Sequence, residues 1–179
     1  MRNKQALIYW AVAVLIAVAI GSVYFGGSAS GGSSVGPTSL AGSPAPSFEV
    51  DSLSGTRLSL QTFRGKIVVL NLWASWCPPC RAEMPDLQRF YSAYKNKNVV
   101  VLGVNQGESA ERAGAFATSL GIRFPVLLDQ NQQYGRVYAA LGLPTTFVIN
   151  PQGIVVRGFD GALTFDQMVE AVAPFLGKK

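Results

Sequence analysis

Histidine is absent from the 179 residues, and cysteine occurs only twice, at Cys77 and Cys80. Two cysteines cannot provide the four ligands that a structural zinc site needs. The lack of histidine also excludes a cysteine–histidine protease. Because Arg81 rather than histidine follows Cys80, the pair lacks the pattern for covalent haem attachment. The two cysteines therefore have either a redox role or a structural one.

Charged residues are missing from residues 6–25, a run that is almost wholly apolar. A helix of this length rises about 30 Å, which is the thickness of a bilayer's hydrocarbon core. Arg2 and Lys4 precede the run and no acidic residue occurs before Glu49, so residues 1–5 are predicted to be cytoplasmic and the remainder extracytoplasmic. We predict a single-pass transmembrane anchor. The alternative is a signal peptide cleaved near residues 28–30, which also exports the remainder.

Apolar residues are scarce in residues 26–43, which are rich in glycine and serine and predict a flexible linker. The folded domain is expected at residues 44–179. Its basic and acidic residues are nearly balanced, since the net charge of +5 includes the N-terminal flank. Without a basic cluster, a nucleic-acid partner has little support.

Strand-like and helix-like patterns alternate within this domain, which predicts an α/β fold with a central sheet covered on both faces. The apolar run IVVLNLW is typical of a strand buried on both faces. Predicted strands are residues 48–51, 57–60, 67–73, 99–105, 126–129, 145–149 and 154–159; predicted helices are residues 78–95, 109–120, 132–141 and 165–176, the last capped by Thr164.

The two cysteines follow a predicted buried strand and open a predicted helix. Cys77 is expected at the helix N-cap, where free N–H groups and the helix dipole favour a thiolate. Pro78 and Pro79 occupy the first turn and remove two of those donors, so we expect only a modest lowering of the Cys77 pKa. That suits a reductant better than a strong oxidant. A static disulfide is the alternative, although so short a loop gains little entropy from closure.

The segment NLWASWCPPCRAEMP at residues 71–85 resembles the TlpA/ResA branch of membrane-anchored thiol-disulfide oxidoreductases. The segments FRGKIVVLNLW, VLGVNQGES and LGLPTTFVINPQG extend the resemblance along the domain. It implies a thioredoxin-like three-layer sandwich with a central mixed β-sheet and an N-terminal β-hairpin extension. It also implies that Cys77 is the exposed attacking thiol, that Cys80 is the buried resolving thiol, and that Pro144 is a cis-proline facing them.

Glu83 is a candidate catalytic residue, because it lies one helical turn after Cys80 on the same face. Cytosolic thioredoxins have a buried aspartate where this chain has Asn71, and an amide cannot carry a proton. The resembled branch has a glutamate at the position of Glu83. We therefore predict that Glu83 assists proton transfer to or from the thiols. An exposed carboxylate favoured by the helix dipole is the alternative.

The predicted substrate-binding residues surround the cysteine pair. Trp76 is expected to be exposed beside Cys77 and to form an apolar rim with Pro78, whereas Trp73 is expected in the core. Leu143, before Pro144, offers its backbone to an extended client segment. Residues 105–109 (NQGES) recur in the resembled branch and are interpreted as a loop or helix cap.

By resemblance, the enzyme reduces disulfides of client proteins such as apocytochromes c during cytochrome c maturation. A membrane thiol transporter supplies the electrons. We expect a monomer that needs no cofactor or metal beyond its redox-active disulfide. Two alternatives are a peroxiredoxin-like peroxidase, which is disfavoured because no lone threonine-supported cysteine precedes the helix, and a non-catalytic docking or chaperone module on the same fold.

Overall fold

The computed structural model describes residue 10 and residues 40–177. Within them lie the strands β1 Glu49–Asp51, β2 Arg57–Ser59, β3 Ile67–Trp73, β4 Val99–Gln106, β5 Val126–Asp129, β6 Thr145–Ile149 and β7 Val155–Asp160. The α-helices are α1 Pro78–Tyr94, α2 Ala110–Ser119, α3 Gln133–Val137 and α4 Phe165–Val172. Short 3-10 helices span Leu60–Phe63 and Ala173–Phe175.

Five strands form the central sheet in the order β5-β4-β3-β6-β7. The β3–β4 and β4–β5 pairs are parallel, whereas β3–β6 and β6–β7 are antiparallel. The predicted mixed sheet is thus confirmed. β1 and β2 pair separately as an antiparallel hairpin, which confirms the predicted N-terminal extension.

Two hydrophobic clusters cover the two faces of this sheet, as expected for three layers. Alternate residues of β3 point to opposite faces, so Ile67, Val69 and Trp73 contact the cluster beneath α1, α2 and α4. The predicted core position of Trp73 is confirmed, since its side chain is fully buried. Residues of α3 and the hairpin pack on the opposite cluster.

Two predicted helices end earlier than their patterns indicated. Helix α3 is confined to Gln133–Val137, because Gln132 and Ala139 at its flanks have the left-handed φ values of 54° and 50°. Helix α4 gives way to a 3-10 turn after Val172, because Pro174 has no N–H to donate to the helical ladder.

Backbone pairing begins before the predicted domain boundary at residue 44. Gly42 N donates to Val155 O at 2.8 Å, and Val155 N donates to Ser43 O at 2.9 Å. Residues 40–43 of the predicted linker therefore lie against the start of β7. The predicted anchor falls, apart from Trp10, outside the described residues. Among those described, no helix has the length and apolarity to cross a membrane.

Candidate active site

The cysteine pair lies where β3 ends and α1 begins. Cys77 is the N-cap of α1 and has extended backbone angles, as predicted. Pro78 and Pro79 occupy the first two helical positions, where a missing N–H costs little. The first available N–H is that of Cys80, and it donates to Cys77 Sγ at 3.2 Å. The local sequence thus directs the first helical donor to the sulfur of Cys77.

Cys77 and Cys80 form a disulfide, with an S–S distance of 2.08 Å and Cα atoms 5.3 Å apart. The expectation that Cys77 is exposed is wrong for this oxidised state. Its exposed fraction is 3%, against 0% for Cys80. Cys77 Sγ is bonded to Cys80 Sγ and accepts the Cys80 N–H. The order in which the two thiols react stays a prediction.

Glu83 is buried beneath the pair, with an exposed fraction of 2%. The alternative of an exposed first-turn carboxylate is therefore wrong. Its Oε1 accepts from Leu163 N at 3.0 Å and its Oε2 from Asn71 Nδ2 at 3.1 Å. Burial raises the pKa of Glu83 to about 7, against the lowering effect of these two donors; Asp86 adds a smaller upward effect. A carboxyl one turn from Cys80 can thus exchange its proton near neutral pH.

Asn71 connects Glu83 to the sheet. Its Nδ2 donates both to Glu83 and to Thr146 Oγ1, the latter at 2.9 Å. Its Oδ1 is buried and has no hydrogen-bond partner among the described residues. The Asn71 amide could therefore accept a hydrogen bond after turning over.

Glu108 is a second buried carboxylate at the site, exposed by only 6%. It accepts hydrogen bonds from Ser75 N at 2.7 Å, Ser75 Oγ at 2.5 Å and Asn105 Nδ2 at 2.7 Å. Arg112 Nε lies 3.4 Å from it. Burial raises the pKa of Glu108, but the bonds from Ser75 and Asn105 and the charge of Arg112 outweigh it and hold the pKa below its usual value. Glu108 thus fixes the turn that precedes Cys77.

The Leu143–Pro144 peptide is cis, as the resemblance implied. Pro144 lies at the same end of the sheet as the cysteines, because the adjacent Thr145 pairs with Leu72 of β3. Leu143 packs against the cluster that contains both cysteines.

An open groove of about 280 Å³ adjoins this loop, and its lining includes Trp76 and Leu143. Trp76 is 61% exposed, as predicted, and Leu141 is 90% exposed. Arg136 also lines the groove. Trp76 and Leu141 are thus two exposed apolar residues that line the same groove.

Of the seven predicted site residues, Cys77 and Cys80 form the disulfide and Glu83 is buried one turn further along α1. Trp76 and Leu143 line the groove, and the cis-proline Pro144 follows Leu143. Pro78 is exposed in the first helical turn. Ser109 caps α2 by accepting from Arg112 N at 3.3 Å, as the cap interpretation of residues 105–109 anticipated.

Sequence reasoning missed Glu108 and Leu141. The carboxyl ends of the parallel strands β3 and β4 meet at one edge, so an acid directly after β4 could have been expected near Ser75. Leu141 had a weaker signal, an apolar residue in the segment preceding Pro144.

A family model described as the AhpC/TSA family matches residues 41–157. The chain belongs to the AhpC/TSA family. The thiol-disulfide oxidoreductase ResA of Bacillus subtilis (strain 168) is 42% identical over 123 residues, 69% of each chain. ResA of Geobacillus thermodenitrificans (strain NG80-2) is 38% identical over 136 residues, 74% of this chain and 78% of that one.

Solved structures agree with these relatives. A secreted thiol-disulfide isomerase from Corynebacterium glutamicum has a TM-score of 0.70 at 28% identity, covering 75% of this chain and 86% of its own. A thiol:disulfide interchange protein of the thioredoxin family from Chlorobium tepidum has a TM-score of 0.68 at 28% identity, covering 79% and 98%. The protein is a thiol-disulfide oxidoreductase of the ResA type with a CxxC pair and a thioredoxin-like fold.

Proposed function

We propose that this oxidoreductase reduces disulfides of client proteins outside the cytoplasm, while residues 6–25 anchor it in the membrane. The observation that carries the proposal is a disulfide at a helix start with a buried carboxyl, of raised pKa, one turn away. The resemblance to the TlpA/ResA branch supports apocytochromes c as clients and a membrane thiol transporter as electron donor.

The reaction requires a dithiol that cycles with its disulfide. The Cys77 thiolate attacks one sulfur of the client disulfide and forms a mixed disulfide, and the departing client thiolate takes up a proton. Cys80, as a thiolate, then attacks Cys77 Sγ and releases the second client thiolate, which is also protonated. Two electrons pass to the client, and the Cys77–Cys80 disulfide returns.

Glu83 is the group we assign to the Cys80 proton. Cys80 is fully buried, so its proton needs an acceptor inside the protein. Ionised Glu83 accepts that proton and is then neutral, which its burial favours. Neutral Glu83 needs an acceptor for its O–H, and Asn71 Oδ1 can serve after the amide turns over.

The proton assignment is tested by titrating both thiols in the wild type and in Glu83→Gln. We expect the Cys80 titration to shift in Glu83→Gln, because the variant cannot exchange a proton. Glu170→Gln, which changes an exposed carboxylate on α4, is the matched control. Identical thiol titrations in Glu83→Gln and wild type would end the assignment.

The groove beside Pro144 is our proposed client-binding surface. Trp76 and Leu141 offer apolar contact, and the backbone of Leu143 can pair with an extended segment around the client cysteine. Disulfides presented on extended, partly apolar segments are therefore the expected substrates.

The whole proposal is tested by trapping with Cys80→Ser in cells. This variant retains the attacking thiol and lacks the resolving one, so mixed disulfides through Cys77 should accumulate. Mass spectrometry of the trapped proteins identifies clients and donor. Cys77→Ser is the control and should trap far less. Equal trapping by the two variants, or unchanged insulin reduction by Cys77→Ser, would contradict the proposal.

A further inference from the structure

All three lysines within residues 40–177 lie at one end of the fold, opposite the disulfide. Lys66 directly precedes β3, and Lys95 and Lys97 lie between α1 and β4. The pairing of β3 and β4 runs from Ile67↔Val99 at this end to Trp73↔Asn105 at the other. Strand rise makes this distance about 20 Å. The lysines are exposed and well separated from the cysteines.

Hydrogen bonds join the loops that carry these lysines. Asn98 Nδ2 donates to Gly65 O at 2.8 Å, and Ile67 N donates to Asn98 O at 3.0 Å. Arg64 lies in the same loop as Lys66 and bonds to Gln152 O in the β6–β7 turn. We call the surface formed by Arg64, Lys66, Lys95 and Lys97 the basic end. None of the acidic residues within residues 40–177 lies in its three loops.

Acidic residues gather toward the opposite, active-site end. They lie at or just after strand ends there, in the first turns of α2 and α4, or in the first half of α1 beyond its first turn: Glu108, Asp129, Asp160, Glu111, Asp166, Glu83 and Asp86. Arg81, Arg112 and Arg136 offset part of this charge. The other three acids lie elsewhere: Glu49 and Asp51 pair with Arg57 on the hairpin, and Glu170 is exposed on α4. The fold is therefore electrically polar along its strands.

The chain also enters the domain at the basic end. Ala45 N donates to Gly153 O at 2.9 Å, and Gly42 N donates to Val155 O. Gly153 lies in the β6–β7 turn and Val155 is the first residue of β7. Both acceptors are therefore at the end of the sheet where Lys66 precedes β3. Residues 42–45, which lead into the domain, thus lie at the basic end.

We propose that the basic end docks on the anionic phospholipid headgroups of the membrane and directs the disulfide away from the lipid. Anionic headgroups attract lysines close to the surface and act only within a Debye length of about 8–10 Å. The acidic end, about 20 Å away, gains nothing from approaching the same surface. This inference rests on the proposed membrane location and adds an orientation to it.

The test is lysine footprinting of the full-length chain in vesicles. Vesicles of phosphatidylcholine alone are compared with vesicles that also contain phosphatidylglycerol, using an amine-acetylating reagent and mass spectrometry. We expect acetylation of Lys66, Lys95 and Lys97 to slow roughly tenfold in the anionic vesicles. High salt should restore the rates, because it screens the attraction.

A reporter at the other end provides the control. Arg136→Lys keeps the charge and adds an amine beside the active-site groove. Its acetylation should be equal in the two vesicle types. Equal rates for the three native lysines in the two vesicle types, or slowing of the reporter to the same extent, would overturn the proposed orientation.

The membrane location is measured separately, by carbonate extraction and flotation of the same samples. Release of the chain by carbonate would contradict the anchor. Lysine protection on floated anionic vesicles would still support the docking surface in that case, so the two failures are distinguishable.

Discussion

Glu83 and Glu108 are two carboxylates at the active site, and their acidities differ. Both residues have little exposed surface, 2% and 6%, but Glu83 lies much deeper inside the protein than Glu108. The pKa of Glu83 is raised to about 7, whereas that of Glu108 is lowered.

The difference comes from the depth of burial and from the donors around each group. Glu83 has two neutral donors, Leu163 N and Asn71 Nδ2, and a carboxylate, Asp86, as its charged neighbour. Glu108 has three hydrogen bonds, two of them from Ser75, and a cation in Arg112. Depth of burial, donor number and the sign of the neighbouring charge together decide whether a carboxyl can exchange protons near neutral pH or only anchor a turn.

Replacing Glu83 with glutamine should change the free energy of unfolding more than any other substitution in this comparison. Folded Glu83 keeps its proton up to a pH of about 7, whereas in the unfolded chain its pKa has the ordinary value of 4.5. The free energy of unfolding of the wild type should therefore fall as pH rises through this window. Glutamine does not titrate. The free energy of unfolding of Glu83→Gln, measured relative to that of the wild type, should therefore rise by about 3 kcal/mol between pH 4 and pH 8.

Urea denaturation across this pH range measures the gain. Glu170→Gln is the control, because the same change on the exposed face of α4 should follow the wild-type curve. A constant difference between Glu83→Gln and wild type would show that the folded pKa of Glu83 is not raised.

Sequence spacing could place Glu83 one turn after Cys80, but it could not establish its burial. The covering residue is Leu163, which is 80 residues away in the chain and approaches only because α4 packs beside α1. The same limit applies to Cys77, whose burial in the oxidised state is not indicated by any local pattern. Local signals fix a residue's face on a helix, whereas burial depends on what else packs there.

Removing the carboxylate of Glu108 should have the next largest effect. Glu108→Ala leaves Ser75 N–H and the Asn105 amide without their acceptor, and unpaired buried donors are costly. We expect the free energy of unfolding at pH 7 to fall by about 2 kcal/mol. Glu111→Ala, an exposed neighbour in the same chain segment, is the matched control for urea denaturation. Equal losses in the two variants would mean that Glu108 does not hold the turn.

The elements predicted best were those with strong local patterns. β3 has its predicted bounds because its seven buried positions, six of them apolar, are continuous, and α1 begins at Pro78 because two prolines suit a helix start. Helix α3 was overestimated, since nothing in its composition shows that Ala139 takes a left-handed φ. Residues 40–43 were assigned to the linker by composition, although backbone groups rather than side chains tie them to β7.

The smallest effect is expected for Ser75→Ala, which removes a single hydrogen bond to Glu108. Ser75→Ala removes the donation from Ser75 Oγ and keeps that from Ser75 N, so the loss at pH 7 should be about 1 kcal/mol. The lowered pKa of Glu108 contributes stability above the unfolded value, and this contribution disappears as pH falls through the folded pKa. The loss in Ser75→Ala should therefore shrink in acid, as urea denaturation at several pH values can show. If the loss of unfolding free energy is the same at every pH, the Ser75 hydroxyl contributes only packing. The ionised form of Glu108 is then stabilised by its other donors alone.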